Sequence, residues 1–289
     1  MRGVLGRGAT IGLAFLVLLG LAALLAPRLG LADPAAVHLD RALLAPAWTE
    51  APVLGTDRLG RDLLARTLFG ARISLLVGLA GTFLALLVGI PYGAVAGFFG
   101  GRLDRLMMRV ADFLNGLPLV VVVLFLLSVL LEYRAELAAV GIGRLEVFFF
   151  VVGLLFWIPT ARVARAEALR LRKTAYLEAA RSLGAGPARL LARHVLPNML
   201  PTVLVMLTLT IPRVVLMEAF LSFLGLGVEP PAVSWGLLAA DGLAALNPLV
   251  GSWWLLLFPS LALTGTLLAL NLVGDGLRTR LEGTVSTFK

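Results

Sequence analysis

The chain has 289 residues, 60% of them hydrophobic and 15% charged, with a mean hydropathy of +0.97. A soluble chain carries roughly a quarter of its residues as charges, so this one reads as a polytopic membrane protein. It has no cysteine, which excludes disulfides and thiolate metal sites, and its net charge of +8 shows no basic face interleaved with aromatics, which excludes nucleic acid as a partner.

A helix needs about 20 apolar residues to cross a hydrocarbon core. The first expected span is Gly8 to Pro27, between Arg7 and Arg28. Arg2 and Arg7 ahead of it resemble the n-region of a signal peptide, but the apolar run is about twice the usual length, so an uncleaved first helix is expected. The second span runs from Ile73 to about Phe99 and contains Pro91. The third is Phe113 to Leu131, and the fourth about Val147 to Ala161. The fifth runs from Met199 to about Met217, with Arg213 near its end, and the sixth starts near Ser252 within the uncharged run Gly242 to Gly274. The fold class is thus all-α: six transmembrane helices with a cytoplasmic helix–turn–helix.

Orientation follows from the basic residues. With both termini inside, the inner segments hold 16 of them: Arg2, Arg7, Arg102, Arg105, Arg109, the eight from Arg162 to Arg193, Arg278, Arg280 and Lys289. The outer segments hold eight, among them the Arg-rich first outside loop, and the majority favours N-in and C-in.

One polar stretch, residues 174–198, sits between the fourth and fifth spans. Tyr176, Ala179, Ala180 and Leu183 fall at i, i+3, i+4 and i+7, one face of a helix. Thr174 is placed to cap its start, and Gly184 stands where a left-handed C′ residue would end it. Pro187 suits the first position of a second helix, and Leu196-Pro197-Asn198 is expected to break that helix before the fifth span. The small face at Ala179 and Ala180 could be a docking ridge, and equally an ordinary loop helix with a Glu178–Arg181 pair worth about 0.2–0.5 kcal/mol. The residues taken alone leave both open.

Glu178-Ala179-Ala180, Gly184 and the close Leu196-Pro197 resemble the EAA signature of membrane subunits of ABC importers, departing only where His194 fills a hydrophobic slot. Three more segments resemble the dipeptide/oligopeptide branch, in the subunit type with a long first outside loop: LGTDRLGRD from Leu54 to Asp62 with LFGARIS from Leu68 to Ser74, EAFLSFLGLG from Glu218 to Gly227 with Ser234-Trp235-Gly236, and NLVGDGLR from Asn271 to Arg278. Arg213 departs from the apolar residue expected of that branch.

The resemblance implies a permease subunit of an ATP-driven importer of short peptides in a bacterial or archaeal inner membrane. It implies a second homologous permease chain, two ATPase subunits and an extracytoplasmic substrate-binding protein as partners, besides peptide and the lipid bilayer. It implies that Glu178, Ala179, Ala180, Gly184, Leu196 and Pro197 couple to the ATPase. ATP and magnesium would belong to those partners, because this chain has no Gly-x-x-x-x-Gly-Lys-Ser/Thr loop; no cofactor, metal or catalytic residue is expected in it. The corresponding organisation is an N-terminal helix and outside loop over 1–72, a permease core over 73–281, and a cytoplasmic tail over 282–289.

Other residues carry bland readings beside sharp ones. Arg213 and Glu218 are candidates for the pathway or a gate, but the simpler expectation places both at the outer interface with Arg213 snorkelling. Asp57 and Asp62 show no ligand spacing, and Gly55-Thr56-Asp57 reads as a turn. Pro91, Pro118 and Pro159 read as tolerated kinks or hinges, and Trp253 and Trp254 as interface anchors. Among competing functions, the same scaffold could carry nickel chelates or glutathione. An intramembrane hydrolase would need a partner for Ser74, Ser128 or Ser260, and neither His38 nor His194 lies in a span. A stand-alone secondary carrier would show acidic groups inside several spans, which these almost lack.

Overall fold

The computed structural model describes residues 6–28, 30–47, 52–246 and 251–286; Arg2 and Lys289, counted in the charge asymmetry, lie outside them, as does part of the run preceding the sixth span. The described residues are helical apart from loops and a single bridge between Thr56 and Asp62. Four helices are long and apolar enough to cross a membrane, and six spans result if each of two bent helix pairs counts as one. Apolar runs take this form because hydrocarbon offers their backbone groups no partner but one another.

In chain order these are α1 (Arg7–Leu25), α2 (Leu63–Phe99), α3 (Gly101–Asn115), α4 (Leu119–Glu132), α5 (Arg134–Ala139) and α6 (Arg144–Leu155). They continue with α7 (Trp157–Leu171), α8 (Ala175–Ser182), α9 (Pro187–Leu190), α10 (Leu196–Asn198), α11 (Leu200–Phe223), α12 (Trp235–Ala245) and α13 (Trp254–Ser286). At 1.5 Å per residue α2 is about 55 Å long and α13 about 50 Å, well beyond a hydrocarbon core of about 30 Å. The expected third span needs correction. Phe113–Asn115 end α3, the chain breaks at Gly116–Pro118, and the apolar remainder is the 14-residue α4. Pro118 accounts for the break, since it disfavours helical backbone in the residue before it. The fourth span is likewise two helices, α6 and α7, meeting at a 41° bend around Phe156, with Pro159 in the first turn of α7. A helix absent from the expectation, α12, precedes the sixth span; Ser234 caps it by accepting the Leu237 N–H at 3.3 Å.

The chain packs as two compact units, Met1–Gly78 with Val215–Lys289, and Leu79–Val214. In the first, α1 and α12 both pack on α13. Trp235 is fully enclosed with Ala23 and Ala71, and its indole N–H donates to the Thr67 carbonyl at 3.0 Å. Trp254 does not have the exposed ring of a lipid anchor: it is buried, and its indole N–H donates to the Thr56 carbonyl in the loop between α1 and α2 at 3.2 Å, whereas Trp253 is half exposed.

In the second unit the later half of α2 lies against α7. Gly89, Gly93 and Gly97, four residues apart, face the Trp157, Ala161 and Arg165 carbonyls, and a Cβ on Gly93 would collide with the Ala161 carbonyl and the Ala164 methyl. Small residues at this spacing let two helices approach backbone to backbone, the packing favoured where both sides are otherwise bathed in lipid. Asp104 on α3 takes both guanidinium arms of Arg165 on α7, the Nη2–Oδ2 bond being 2.6 Å. Tyr92 donates to the Met107 carbonyl at 2.7 Å, tying α2 to α3.

Candidate functional site

The polar stretch between the fourth and fifth spans forms the expected helix–turn–helix. Thr174 occupies the N-cap position of α8 with extended backbone, but its hydroxyl donates to the Leu171 carbonyl at 2.6 Å instead of capping α8. The Thr174 main-chain carbonyl takes the Leu177 and Glu178 N–H groups. At the other end Gly184 has φ +85°. Its N–H reaches the Arg181 carbonyl at 3.0 Å, and the Ala185 N–H reaches Ala180 at 3.1 Å. This pair of bonds is a Schellman motif, which glycine enters without the steric cost of a Cβ.

Pro187 opens α9 as expected. The expected break at Leu196–Asn198 is corrected. A π-turn over Leu191–Val195 leads into α10, and Met199 alone separates that from α11. Pro197 and Pro201 bring no N–H, so the ladder loosens instead of ending; the Met199 N–H goes to Val195 at 3.1 Å, and the Asn198 side-chain amide donates to the His194 carbonyl at 2.6 Å.

The two faces of α8 differ. Leu177 is fully buried and packs with Leu190, Val195 and Met199 against Ala94 and Phe98 of α2 and Ala164, Ala168 and Leu171 of α7. Tyr176, Glu178, Ala179 and Leu183 are exposed, Leu183 to 89%, and Ala180 is half buried. No ion pair joins Glu178 to Arg181 among the described residues. Of the coupling residues, Leu196 is half buried and Pro197 exposed. Arg172, just ahead of the segment, donates to the Gly97 and Phe98 carbonyls at the end of α2, each at 3.5 Å. Sequence reading had singled out the outer face and missed its mounting: Leu177, Arg172, and the Asp104–Arg165 pair behind them. The four-residue glycine spacing in α2 was the signal that pointed there.

Arg213 and Glu218 part company. The helix carrying them continues to Phe223, so Arg213 lies ten residues short of its end; it is exposed, with no ion-pair partner among the described residues. Glu218 has no exposed surface at all. Its carboxylate accepts from Ser74 at 3.0 Å and from Ser222 at 2.8 Å, with the Ser234 hydroxyl close by. Those hydroxyls in turn accept the N–H groups of Trp235, Val228 and Leu237. One acid thereby ties α2, the end of α11, the following loop and the start of α12.

In the loop between α1 and α2, Gly55 has φ +81° and Asp57 organises the turn. Asp57 accepts the Leu59 N–H at 2.9 Å, the Arg61 N–H at 3.0 Å and the Arg61 guanidinium at 2.7 Å, and it pairs with Arg66. Asp62 caps α2 by accepting the Ala65 N–H at 2.9 Å.

Comparison with known proteins bears on this arrangement. The family described as binding-protein-dependent transport system inner membrane component matches residues 89–287. The chain is 40% identical over 277 residues to the oligopeptide transport system permease protein OppC of Bacillus subtilis (strain 168), covering 95% of this chain and 85% of that one. It is 41% identical over 228 residues to the dipeptide transport system permease protein DppC of the same organism, covering 79% and 67%. It is 38% identical over 278 residues to OppC of Escherichia coli (strain K12), covering 96% and 87%. Among solved structures, a chain of the MetNI methionine ABC transporter in an inward facing conformation is similar in fold, with a TM-score of 0.60 at 18% identity over 76% of this chain and 97% of that one.

Proposed function

Because this chain belongs to the family of binding-protein-dependent transport system inner membrane components, we propose that it is the permease subunit of an ATP-driven importer of di- and oligopeptides. It is a multi-pass inner-membrane protein, and ATP hydrolysis belongs to separate subunits. The observation that carries the coupling assignment is the two-sided α8: an exposed face of Tyr176, Ala179 and Leu183 on a helix whose opposite side is locked into the core by Leu177. The small Ala179 and Ala180 side chains let a partner helix or loop approach closely, and the Schellman end at Gly184 fixes the segment's length and exit direction.

We assign ATPase coupling to Glu178, Ala179, Ala180, Gly184, Leu196 and Pro197. The full transporter holds a second homologous permease chain, two ATPase subunits and an extracytoplasmic substrate-binding protein, with both termini of this chain cytoplasmic. Residues 73–281 are its permease core and 174–198 its coupling segment. Arg213, exposed within α11, is the candidate for contact with the pathway or with the second permease chain. Glu218 serves the internal clamp described above.

The test is uptake by the complete transporter in proteoliposomes with ATP inside. Import of a labelled dipeptide, dependent on ATP and on the binding protein, is the expected result. Import of nickel chelate or glutathione in its place would move the assignment to that branch, and ATP-independent exchange would sink it.

A further inference from the structure

A cavity of about 240 Å³ opens in the unit that contains the loop between α1 and α2. Its charged lining is Arg58, Arg61 and Arg66 against Asp57 and Asp241, three positive and two negative groups, a surplus of one positive charge. Leu59, Leu238 and Leu255 supply an apolar wall.

The arginines are not used up by the two acids. Asp57 is already filled by two backbone N–H groups and by Arg61 and Arg66. Asp241, with a half-exposed side chain, stands 3.3 Å from Arg66 and 3.9 Å from Arg61, longer than the 2.7–2.9 Å of a strong charge-assisted bond. Arg66 is itself 1% exposed, and its Nε–H has no acceptor among the described residues. Arg58 is exposed and its guanidinium reaches only the Ala244 carbonyl, with no carboxylate partner among the described residues. The exposed Arg58 guanidinium, with no carboxylate partner among the described residues, beside an incompletely neutralised Arg66 at the cavity wall is a receptor for a planar anion, and a carboxylate matches its fork.

We propose that this cavity binds the α-carboxylate of a short peptide, an inference that rests on the peptide-import reading. The α-carboxylate is the one anionic group that all linear peptides share, so a site that reads it accepts them without regard to side chains. The volume decides how much enters. Drug-sized ligands occupy roughly 300–1,000 Å³, so this cavity takes the last one or two residues of a peptide, with the terminal side chain against the leucine wall. Docking of another protein's acidic side chain would need the arginines but not the recess.

The experiment uses the purified full-length chain in nanodiscs of zwitterionic lipid, titrated with dialanine and with dialanine amide by calorimetry. Dialanine should bind, and the amide should bind about tenfold more weakly or less, because it lacks the anion. Arg58→Gln, at an exposed position, should weaken dialanine about tenfold while leaving the melting temperature unchanged. Asp241→Asn should tighten it several-fold by removing the competing carboxylate, a sign that a merely structural role for Asp241 does not produce. Equal binding of acid and amide overturns the proposal, as does acetate competing as well as dialanine, which would mark a general anion site. Absence of dialanine binding while the complete transporter imports dialanine overturns the cavity assignment and leaves peptide import standing. Absence of import by the complete transporter removes the import reading and this inference with it.

Discussion

Replacing Glu218 tests whether one carboxylate holds together the elements that meet around it. Its two oxygens accept from the hydroxyls of Ser74 and Ser222, with that of Ser234 close by, all enclosed. In Glu218→Ala each hydroxyl loses the carboxylate, at about 1–3 kcal/mol per buried group left unsatisfied. Ser74 and Ser222 lie within helices and can turn to the carbonyl four residues earlier, which recovers part of the loss. Ser234 has no preceding turn, because it caps α12. The net expectation is destabilisation of about 3–5 kcal/mol, comparable with breaking a buried charged network. Glu218→Gln keeps one acceptor oxygen but turns an N–H₂ toward a donor, and should cost about 1–2 kcal/mol. At about 2–4 °C per kcal/mol, the alanine variant should melt on the order of 10 °C below the parent and the glutamine variant only a few degrees below it. Tryptophan fluorescence of the detergent-solubilised chain reports this directly, since Trp235 donates its backbone N–H to Ser74. An alanine variant that melts with the parent, or a glutamine variant that melts below the alanine one, would refute the account.

Gly184→Val places a β-branched residue at φ +85°, so α8 loses its end; vesicle uptake should fall while ATP hydrolysis by the assembled transporter continues and the chain stays in the membrane. Undiminished uptake would remove the lever assignment. Leu177→Ala empties a fully buried position and should cost about 2–5 kcal/mol, read as faster protease cleavage between α8 and α9 and reduced uptake. Parent-like cleavage would mean that Leu177 is not the mounting. Gly93→Leu cannot be fitted without forcing α2 and α7 apart, so folded protein recovered from detergent should fall sharply, with Gly93→Ala intermediate; full recovery of the leucine variant would contradict the close packing.

Apolar length was legible from sequence, and it placed α1, α2, α11 and α13 to within a few residues, except that α2 starts ten residues before Ile73 and α13 runs far past the expected close. Those extensions hold polar and charged residues, and hydropathy sees only the part that must lie in lipid. The breaks at Gly116–Pro118 and Phe156 were not legible as bends, because an apolar run reads the same whether straight or broken. Gly184 and Pro187 announced their turn because their backbone chemistry is local. The burial of Glu218 and Trp254 was not legible for the opposite reason. Their partners, Ser74 and Thr56, lie 144 and 198 residues away, and a lone sequence gives no sign of contacts at that distance.

The mounting of α8 bears on how a push at its outer face would travel. Leu177 is enclosed by side chains of α2, α7 and the π-turn, so α8 cannot shift without displacing them or opening a cavity. Arg172 holds the end of α2 through two carbonyls, and the glycine stripe brings α2 and α7 into backbone contact over two turns. Arg165 then carries the same contact to α3 through Asp104. A displacement of α8 by even an ångström is therefore shared by α2, α3 and α7 as a body. The loosest link is the π-turn at Leu191–Val195, where the backbone ladder is widened and two prolines withhold their donors. Rotation of the α8 body relative to α11 would concentrate there. Pro197 would then have a role of its own, keeping the joint from annealing into regular helix. Pro197→Ala restores an N–H and should stiffen the joint, slowing uptake while raising thermal stability, and uptake at the parent rate with the raised stability would show that the joint does not bend during transport.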